Sequence, residues 1–404
     1  MFSSEPIYLD YHSTTPVDQR VVDDMLPFFT THFGNAASRS HPYGWKANEA
    51  VELARGQIAN LINAHADVIH FNSGATEGLN MAIKGMAESA FSAKKHILSV
   101  ATEHAAVLDP LRWLSKKGYE VELLPVDSSG NIDVQQLSDR VGDNTLMVVV
   151  MWVNNETGLV HDIKSIGEIC ARKGVAFICD ATQAVGKIPI DLHSHKIDIL
   201  AFSAHKFYGP KGTGALAVAA NEKKIKPEAL IHGGGHEKNF RSGTLNVPGI
   251  VGMGKAATLC MQYMSDDVHR LTLIRDQFEN DIANACEGIS INGNNKDRVS
   301  TVTNIKVPFV DSQAVMTKLR TKISISSGSA CSSANPFPSH VLKAMGLSDA
   351  EAKGSFRISL GRPTTAEESS MAAKMLAEAI KEYRDQSPVW QMFKEGIDLS
   401  EPNK

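Results

Sequence analysis

Short apolar runs alternate with helical patterns over roughly the first 250 residues, and several of these runs end in polar residues. Apolar residues at helical spacing predict helices at 47–62 and 163–173. Short apolar runs predict strands at 68–71, 95–100 and 145–153, and the last of these is nearly continuous, as in a buried parallel strand. This alternation predicts a mainly parallel sheet with helices on both faces, which is an α/β architecture.

After about residue 249 the pattern changes to longer helices and fewer, scattered strands. The sequence Thr365-Ala-Glu-Glu368 resembles a capping box that opens a helix. A chain of 404 residues is also too long for one ordinary core. We therefore expect a large domain at 15–255, and a smaller α+β domain that combines 1–14 with 256–404.

Composition narrows the class of protein. Apolar residues make up 43% of the chain and charged residues 21%, with a formal net charge of −4, as in a soluble globular protein. The sequence has no cluster of basic residues and no apolar stretch long enough to span a bilayer, so neither nucleic acid nor a membrane is expected as a partner. The first residues show no targeting signal, and we predict a cytoplasmic protein.

Asp180 and Lys206 each follow an apolar run that is typical of a strand, at 175–179 and 197–202 respectively. In open α/β sheets, ligands bind just beyond the carboxyl ends of the strands. A lysine at that edge can form a Schiff base with pyridoxal 5'-phosphate, while an aspartate keeps the pyridine nitrogen protonated. The alternative is a simple salt bridge at the edge of the sheet, and the surrounding residues favour the cofactor.

Small and hydroxyl side chains near these two residues suit a phosphate. Ser73-Gly-Ala-Thr76 lies between a predicted strand and a helix, where backbone N–H groups can bind an anion, although the same residues also make an ordinary N-cap. Ser203 and His205 are further candidate donors beside Lys206. A second such cluster, Arg241-Ser-Gly-Thr244, is a candidate for binding the cofactor of a neighbouring subunit.

Polar side chains at three other strand ends are candidates for the same site. His104 can stack on a pyridine ring and transfer protons near neutral pH, or it can be an ordinary surface histidine. Gln183 follows Asp180 by three residues and can reach the ring oxygen of the cofactor. Asn155 ends the most buried strand, where an amide without a partner would be costly.

The five cysteines are odd in number and lack paired metal spacing, which indicates free thiols in a reducing compartment. Four of them lie in apolar patterns that predict buried, unreactive thiols. Cys331 differs, because 326–336 is rich in small polar residues and predicts an exposed loop where a thiol can act as a nucleophile or be incidental. Arg357 lies in a predicted strand, where it can bind a substrate carboxylate or form a structural ion pair.

Taken together, these motifs resemble the group I cysteine desulfurases of the NifS/IscS type, within the class-V aminotransferase-like enzymes. The resemblance runs from Tyr8 to Trp390, nearly the whole chain. Its most specific segments are Phe33-Gly-Asn35, Ser73-Gly-Ala-Thr-Glu77, Thr102-Glu-His104, Val153-Asn-Asn-Glu156, Asp180-Ala-Thr-Gln183, Ser203-Ala-His-Lys206, His232-Gly-Gly-Gly-His236, Arg241-Ser-Gly-Thr244 and Ser326-Ser-Gly-Ser-Ala-Cys331.

The resemblance implies a fold-type-I enzyme that depends on pyridoxal 5'-phosphate, with a mainly parallel seven-stranded sheet covered by helices and a smaller α+β domain. It implies that Lys206 binds the cofactor covalently, that Cys331 carries a persulfide and that His104 stacks on the ring. The other implied cofactor contacts are Ala75, Thr76, Asn155, Asp180, Gln183, Ser203, His205 and, from the partner subunit, Thr244. The implied substrate contacts are Asn35, Asn155 and Arg357.

The implied reaction converts L-cysteine to L-alanine and leaves a persulfide on Cys331. A homodimer is expected to pass this sulfur to an iron–sulfur scaffold protein and other acceptors, including those of tRNA thiolation. No resident metal is expected, although Cys331 can transiently ligate a [2Fe–2S] cluster shared with the scaffold. The alternatives are a selenocysteine lyase or another class-V lyase or aminotransferase, and a protein whose chief role is docking.

Several departures from the usual family pattern stand out, and the last residues, 400–404, also diverge from it. His12-Ser13 replaces a Ser-Ala pair, Ala105 replaces a common lysine, and Gly78-Leu79 replaces a Ser-Asp pair. None of them removes a residue with an implied catalytic role.

Overall fold

The computed structural model of this chain describes residues 5–89, 93–219, 225–293, 296–328 and 338–396. The strands in these segments are β1 (Ile7–Tyr8), β2 (Ile69–Asn72), β3 (His96–Val100), β4 (Glu120–Leu124), β5 (Thr145–Met151), β6 (Ala176–Asp180), β7 (Ile199–Ser203), β8 (Gly214–Val218), β9 (Ser290–Ile291), β10 (Val302–Lys306), β11 (Ile323–Ser324) and β12 (Ser355–Ser359).

The α-helices in the same segments are α1 (Gln19–Met25), α2 (Pro27–Thr30), α3 (Pro42–Leu61), α4 (Ala75–Glu88), α5 (Ala105–Ser115), α6 (Val134–Arg140), α7 (Ile163–Lys173), α8 (Val247–Ala285), α9 (Ser312–Leu319), α10 (His340–Ala344), α11 (Asp349–Lys353), α12 (Ala366–Asp385) and α13 (Pro388–Lys394). Among these described helices, none is long and apolar enough to cross a membrane.

The largest sheet in the described part of the chain has seven strands in the order β2-β8-β7-β6-β5-β3-β4. Strands β3 to β7 are parallel to one another, and only β8 runs against its neighbours β7 and β2. This mainly parallel seven-stranded sheet confirms the fold that the resemblance implies. Such a sheet brings the carboxyl ends of its parallel strands to one edge.

The two faces of this sheet are covered by separate sets of helices, and β5 shows why its sequence is almost wholly apolar. Val148 and Val150 belong to the apolar core on one face, whereas Met147 and Val149 belong to the core on the other. Successive side chains of a strand point to opposite faces, so a strand covered on both sides has no position for an exposed polar residue.

A separate apolar core lies among β10, β12, α9, α12 and the second half of α8. Leu9 from the start of the chain packs into this core, and β1 pairs in parallel with β11. Helix α8 crosses position 255, where we placed a domain boundary, and the division into 15–255 and the remainder stays a prediction.

Local signals explain where several helices begin and end. Helix α7 has the predicted bounds, since Asp162 accepts a hydrogen bond from Ser165 N and Gly174 closes the helix in a left-handed conformation. The capping box of Thr365 and Glu368 opens α12 as predicted. Helix α3 begins earlier than predicted, because Pro42 occupies its first turn and His41 caps it.

Candidate active site

A cavity of about 170 Å³ lies at the carboxyl edge of the large sheet. It combines residues from strand ends, the start of α4 and α5, the first loop of the chain and β12 of the other core. Ten of the residues predicted for the site line this cavity: Ala75, Thr76, His104, Asn155, Asp180, Gln183, Ser203, His205, Lys206 and Arg357.

The side chain of Lys206 enters the cavity from the short 3₁₀ turn that follows β7. Its Nζ donates hydrogen bonds to the backbone oxygens of His12 (2.5 Å) and Ser13 (2.8 Å). Two carbonyl acceptors therefore fix the amine at the wall of the cavity, where it can react with a bound carbonyl compound.

Asp180 is the last residue of β6 and is buried. Its Oδ1 accepts a hydrogen bond from the backbone N–H of Thr182 (2.9 Å), which fixes the carboxylate against the turn that follows the strand. A carboxylate held in this way at the cavity wall can pair with a protonated ring nitrogen.

His104 caps the N-terminus of α5, and its Nδ1 accepts a hydrogen bond from Ala106 N (3.1 Å). Burial lowers the pKa of His104 below its usual value, although the negative charge of Asp180 partly opposes this shift. The imidazole is therefore neutral near pH 7. Because Nδ1 is an acceptor, the ring carries its proton on Nε2 and can donate it.

The turn between β2 and α4 provides a cradle for an anion. The backbone N–H of Ala75 donates to Ser203 Oγ (2.7 Å), which joins this turn to the end of β7. Gly74 has a φ of +150°, and a Cβ there would lie 3.2 Å from Ser203 Oγ. The first residues of α4 line the cavity, and the N-terminus of a helix favours a phosphate.

His205 stands beside this cradle, and its Nδ1 lies 3.1 Å from Thr14 Oγ1. Burial, together with the positive charge of Lys206, lowers the pKa of His205 to about 4. A neutral imidazole at this place can donate one hydrogen bond to a phosphate oxygen without adding a charge.

Arg357 is almost fully buried in β12, and its guanidinium reaches the cavity. Its Nη2 donates to Asp10 Oδ1 (2.9 Å) and to Ser13 Oγ (3.0 Å), and its Nη1 donates to the backbone oxygen of Asn155 (3.1 Å). The structural ion pair that we considered as an alternative is therefore present. The same guanidinium also lines the cavity, so the two interpretations are compatible.

The lining of the cavity fits a polar ligand such as pyridoxal 5'-phosphate with an amino acid. Three buried polar atoms of lining residues have no hydrogen-bond partner within the described structure: Asn155 Oδ1, Thr182 Oγ1 and Arg357 Nε. Unsatisfied buried polar atoms are costly, and a ligand with phosphate, hydroxyl and carboxylate groups can satisfy them. The amine, carboxylate and anion cradle described above match the functional groups of that cofactor.

Two of the described residues predicted for the site do not line this cavity. Asn35 and Thr244 are exposed on the surface of the subunit, and Asn35 Oδ1 accepts a hydrogen bond from Ala37 N (2.9 Å). Cys331 lies outside the described residues. The proposed roles of these residues stay predictions.

Two residues of the site were not found by reasoning from single positions. His12 is buried beside the cavity, where its ring contacts Thr301 Oγ1 (2.9 Å) and the backbone oxygen of Asn155 (3.3 Å). Lys187 is buried beneath the cavity and donates a hydrogen bond to Gln183 Oε1. Two sequence signals could have indicated these residues. One is the four-residue spacing of Gln183 and Lys187, and the other is the unusual residue at position 12.

Glu103 is another buried group that we did not predict. Its Oε1 accepts a hydrogen bond from Met151 N (2.7 Å), and complete burial raises the pKa of the carboxyl well above its usual value. Burial therefore favours the protonated, uncharged form of Glu103 beside Asp180.

The cysteines other than Cys331 are buried, as predicted: Cys170, Cys179, Cys260 and Cys286. Burial raises the pKa of Cys260 to about 11, which keeps that thiol protonated. His232 and His236 flank three glycines with positive φ rather than a helix. No group of three or more metal-binding side chains occurs within the described ranges.

Known proteins resemble this chain over nearly its whole length. The family model for class-V aminotransferases matches residues 7–370. A cysteine desulfurase IscS of Shewanella frigidimarina is 48% identical over 398 residues, covering 98% of each chain. A second, from Neisseria meningitidis serogroup C, is 47% identical over 395 residues, covering 98% of this chain and 97% of the relative.

Solved structures also resemble the whole chain. A NifS-like protein aligns with a TM-score of 0.87 and 33% identity, covering 94% of this chain and all of the other. The structure of SspA in complex with cysteine aligns with a TM-score of 0.78 and 35% identity, covering 88% of this chain and 99% of that one.

Proposed function

Because this chain belongs to the class-V aminotransferase family and, within it, to the cysteine desulfurases, we propose that it transfers the sulfur of L-cysteine to Cys331 and releases L-alanine. Enzymes of this family depend on pyridoxal 5'-phosphate, and so does this one. The observation that carries the proposal is that Lys206, Asp180 and His104 meet in one buried cavity beside a phosphate cradle.

The residues of the cavity would bind both the ring and the phosphate of the cofactor. Lys206 would bind it covalently, Asp180 would pair with the ring nitrogen, and Gln183 would donate to the ring hydroxyl. The phosphate would be bound by Ala75, Thr76, Ser203 and His205, and in the homodimer by Thr244 of the neighbouring copy. When bound, the cofactor stabilises negative charge at the α-carbon of the substrate.

The protein would orient the substrate and move its protons. Arg357 Nε is a hydrogen-bond donor without a partner at the cavity, which suits it to a substrate carboxylate, whereas Asn155 Oδ1 is an acceptor that suits an N–H of the substrate or cofactor. We assign Asn35 to orienting the substrate as well. Lys206, once released, would remove the α-proton as a neutral amine. The Nε2 proton of His104 is available for donation.

The transfer of sulfur to Cys331 needs no oxidant or reductant besides the Cys331 thiolate and the substrate. The Cys331 thiolate attacks the sulfur of the substrate, a sulfur–sulfur bond forms and the carbon–sulfur bond breaks. The electron pair of that broken bond stays with the β-carbon, which takes up a proton to give L-alanine. The resulting Cys331 persulfide would pass its outer sulfur to an acceptor, such as an iron–sulfur scaffold protein or the enzymes of tRNA thiolation.

A homodimer is supported by exposed aromatic side chains close to Asn35, a predicted substrate contact that is exposed on the subunit surface. Phe33 and Tyr43 pack against each other with ring centroids 5.3 Å apart, and both are more than half exposed. Trp45 is 56% exposed and lines a broad surface groove. Clusters of exposed apolar residues mark interfaces between proteins.

We also propose that the enzyme is cytoplasmic.

The experiment that tests this function is an incubation of the cofactor-loaded protein with L-cysteine and a thiol reductant, followed by measurement of alanine and sulfide. The expected result is equal amounts of both, with a loss of about 10³-fold or more in Lys206→Ala. The exposed residue Lys211 provides a control, since Lys211→Ala leaves the Schiff-base amine in place. Amino-group transfer to a 2-oxo acid without sulfide would instead show an aminotransferase.

A further inference from the structure

The turn that follows β6 places two side chains on one face, and one of them lines the cavity. Val185 N donates to Ala181 O (3.0 Å), and Ile188 N donates to Ala184 O (3.1 Å), so the backbone forms helical turns here. Side chains four residues apart in such turns are neighbours. Gln183 and Lys187 have this spacing, and Gln183 lines the cavity.

Lys187 is a buried amine for which the mechanism above has no use. Its side chain is 9% exposed, and its Nζ donates a hydrogen bond to Gln183 Oε1. Burial, together with the positive charge of Lys206, lowers the pKa of Lys187 well below its usual value. Burial thus favours the neutral amine, and its hydrogen bond to Gln183 Oε1 joins it to a residue of the cavity wall.

This hydrogen bond fixes one end of the Gln183 amide. With Oε1 accepting from Lys187, the Nε2 group points the other way and donates to the backbone oxygen of His12 (2.9 Å). The same His12 oxygen accepts from Lys206 Nζ (2.5 Å). A continuous path of hydrogen bonds therefore runs from the buried amine to the amine that would bind the cofactor.

We propose that Lys187 is a positioning residue, which holds the amide of Gln183 with its Nε2 donor toward the cofactor and thereby sets the electronic state of the bound ring. This inference rests on the proposed function, because it concerns pyridoxal 5'-phosphate in this cavity. Lys187 acts through Gln183 and does not touch the cofactor or the substrate.

The test replaces the amine with an apolar chain of similar length. Lys187→Met leaves Oε1 of Gln183 without its donor, so we expect a shift in the visible absorption of bound cofactor and about a ten-fold higher dissociation constant for pyridoxal 5'-phosphate. Lys187→Gln keeps an N–H donor and should restore part of the absorption. Lys164→Met, an exposed lysine on α7, is the matched control and should change neither property.

A double-mutant cycle separates this role from a general effect on packing or charge. If Lys187 acts through the amide, adding Lys187→Met to Gln183→Leu should change the dissociation constant by less than about two-fold. A further ten-fold loss in the double variant would overturn the proposal. Circular dichroism and thermal melting identify a variant that has failed to fold, and Lys187→Gln then provides the second comparison.

The outcomes for this inference and for the proposed function are distinguishable. Wild-type protein that binds no pyridoxal 5'-phosphate would contradict the function itself. Wild-type protein that binds it, with the same absorption and affinity in Lys187→Met and in Lys187→Gln, would overturn the role of Lys187 alone.

Discussion

At the scale of single residues, burial decides which groups at the site carry charge. His104 and His205 are neutral near pH 7 because burial lowers their pKa values, whereas burial raises the pKa of Glu103 and favours its protonated form. These neutral groups leave Asp180 as the carboxylate that can pair with a ring nitrogen.

The proton on His104 Nε2 leads to a first prediction. His104→Gln keeps a polar side chain of similar reach but cannot transfer a proton, so alanine formation from L-cysteine should fall by about 10²- to 10⁴-fold. The bound cofactor should remain detectable by its absorption. His195→Gln, at a histidine away from the cavity, should retain activity; an unchanged rate in His104→Gln would exclude the proton-transfer role.

A second prediction concerns stability in acid. Burial lowers the pKa of His161 to about 4, whereas the unfolded chain has an ordinary histidine pKa of about 6.5. Between these values the unfolded state binds more protons, so the free energy of unfolding falls as the pH decreases from about 6.5 to 4, by up to about 3 kcal/mol from this residue.

His161→Gln should remove this contribution. Urea unfolding of wild type and variant at several pH values should show a shallower loss of stability in the variant over that range. Parallel pH profiles would mean that His161 is protonated equally in both states.

Some residues of the site could be predicted from the sequence and others could not, for a physical reason. Asp180 and Lys206 lie at the ends of apolar strands, and parallel strands bring such ends together. His12 and Lys187 gain their importance from hydrogen bonds to the backbone and side chains around them, including a contact between His12 and a residue 289 positions away. Single-sequence patterns carry no signal for contacts of that kind.

At the scale of elements, the connection between β2 and α4 joins the phosphate cradle to the sheet. Gly74 adopts a positive φ that side-chain-bearing residues rarely adopt, and Glu77 Oε2 accepts a hydrogen bond from Ser73 N (2.9 Å). Arg241 pairs with Glu77 (2.8 Å), so the cradle is also joined to the segment that carries Thr244.

The third prediction follows from this turn. In Gly74→Ala the new Cβ requires a strained backbone and approaches Ser203 Oγ, so the dissociation constant for pyridoxal 5'-phosphate should rise about ten-fold or more. Gly118→Ala is a matched control, since Gly118 has φ +87° but open space around it. It should lower stability without changing the affinity for the cofactor, and equal affinities in all three proteins would contradict the cradle.

Element bounds were predictable where the signals are local. Helix α7 is delimited by its own cap and its terminal glycine, both visible in the sequence. Strand β7 begins two residues later than predicted, because Asp198 turns its carboxylate to the N–H of Phe177 (2.7 Å) before the strand pairing starts. That contact depends on the neighbouring strand, so the pattern of apolar residues around Asp198 cannot predict it.

At the scale of the whole molecule, the site depends on the meeting of two apolar cores. Lys206 and Asp180 come from the seven-stranded sheet, whereas Arg357 comes from β12 of the other core. Periodicity alone predicted a mainly parallel sheet, and the seven strands came from the family resemblance. In the proposed homodimer, the exposed Thr244 of one subunit would reach the site of the other.

The fourth prediction tests that assembly. Trp45→Glu places a charge on an exposed aromatic surface, so the dimer expected in sedimentation equilibrium should weaken or dissociate. The affinity for pyridoxal 5'-phosphate should fall with it, because Thr244 would no longer reach a neighbouring site. Trp113→Glu, at another partly exposed tryptophan, should leave the dimer intact, and a monomeric wild type would contradict the proposed assembly.

The most direct test of the central claim is the mass of the protein after a single turnover with L-cysteine in the absence of reductant. We predict that the peptide containing Cys331 gains the mass of one sulfur atom, in an amount equal to the alanine released, and that Cys331→Ala forms neither. Alanine release that continues in Cys331→Ala, or a sulfur atom bound to another residue, would contradict the account.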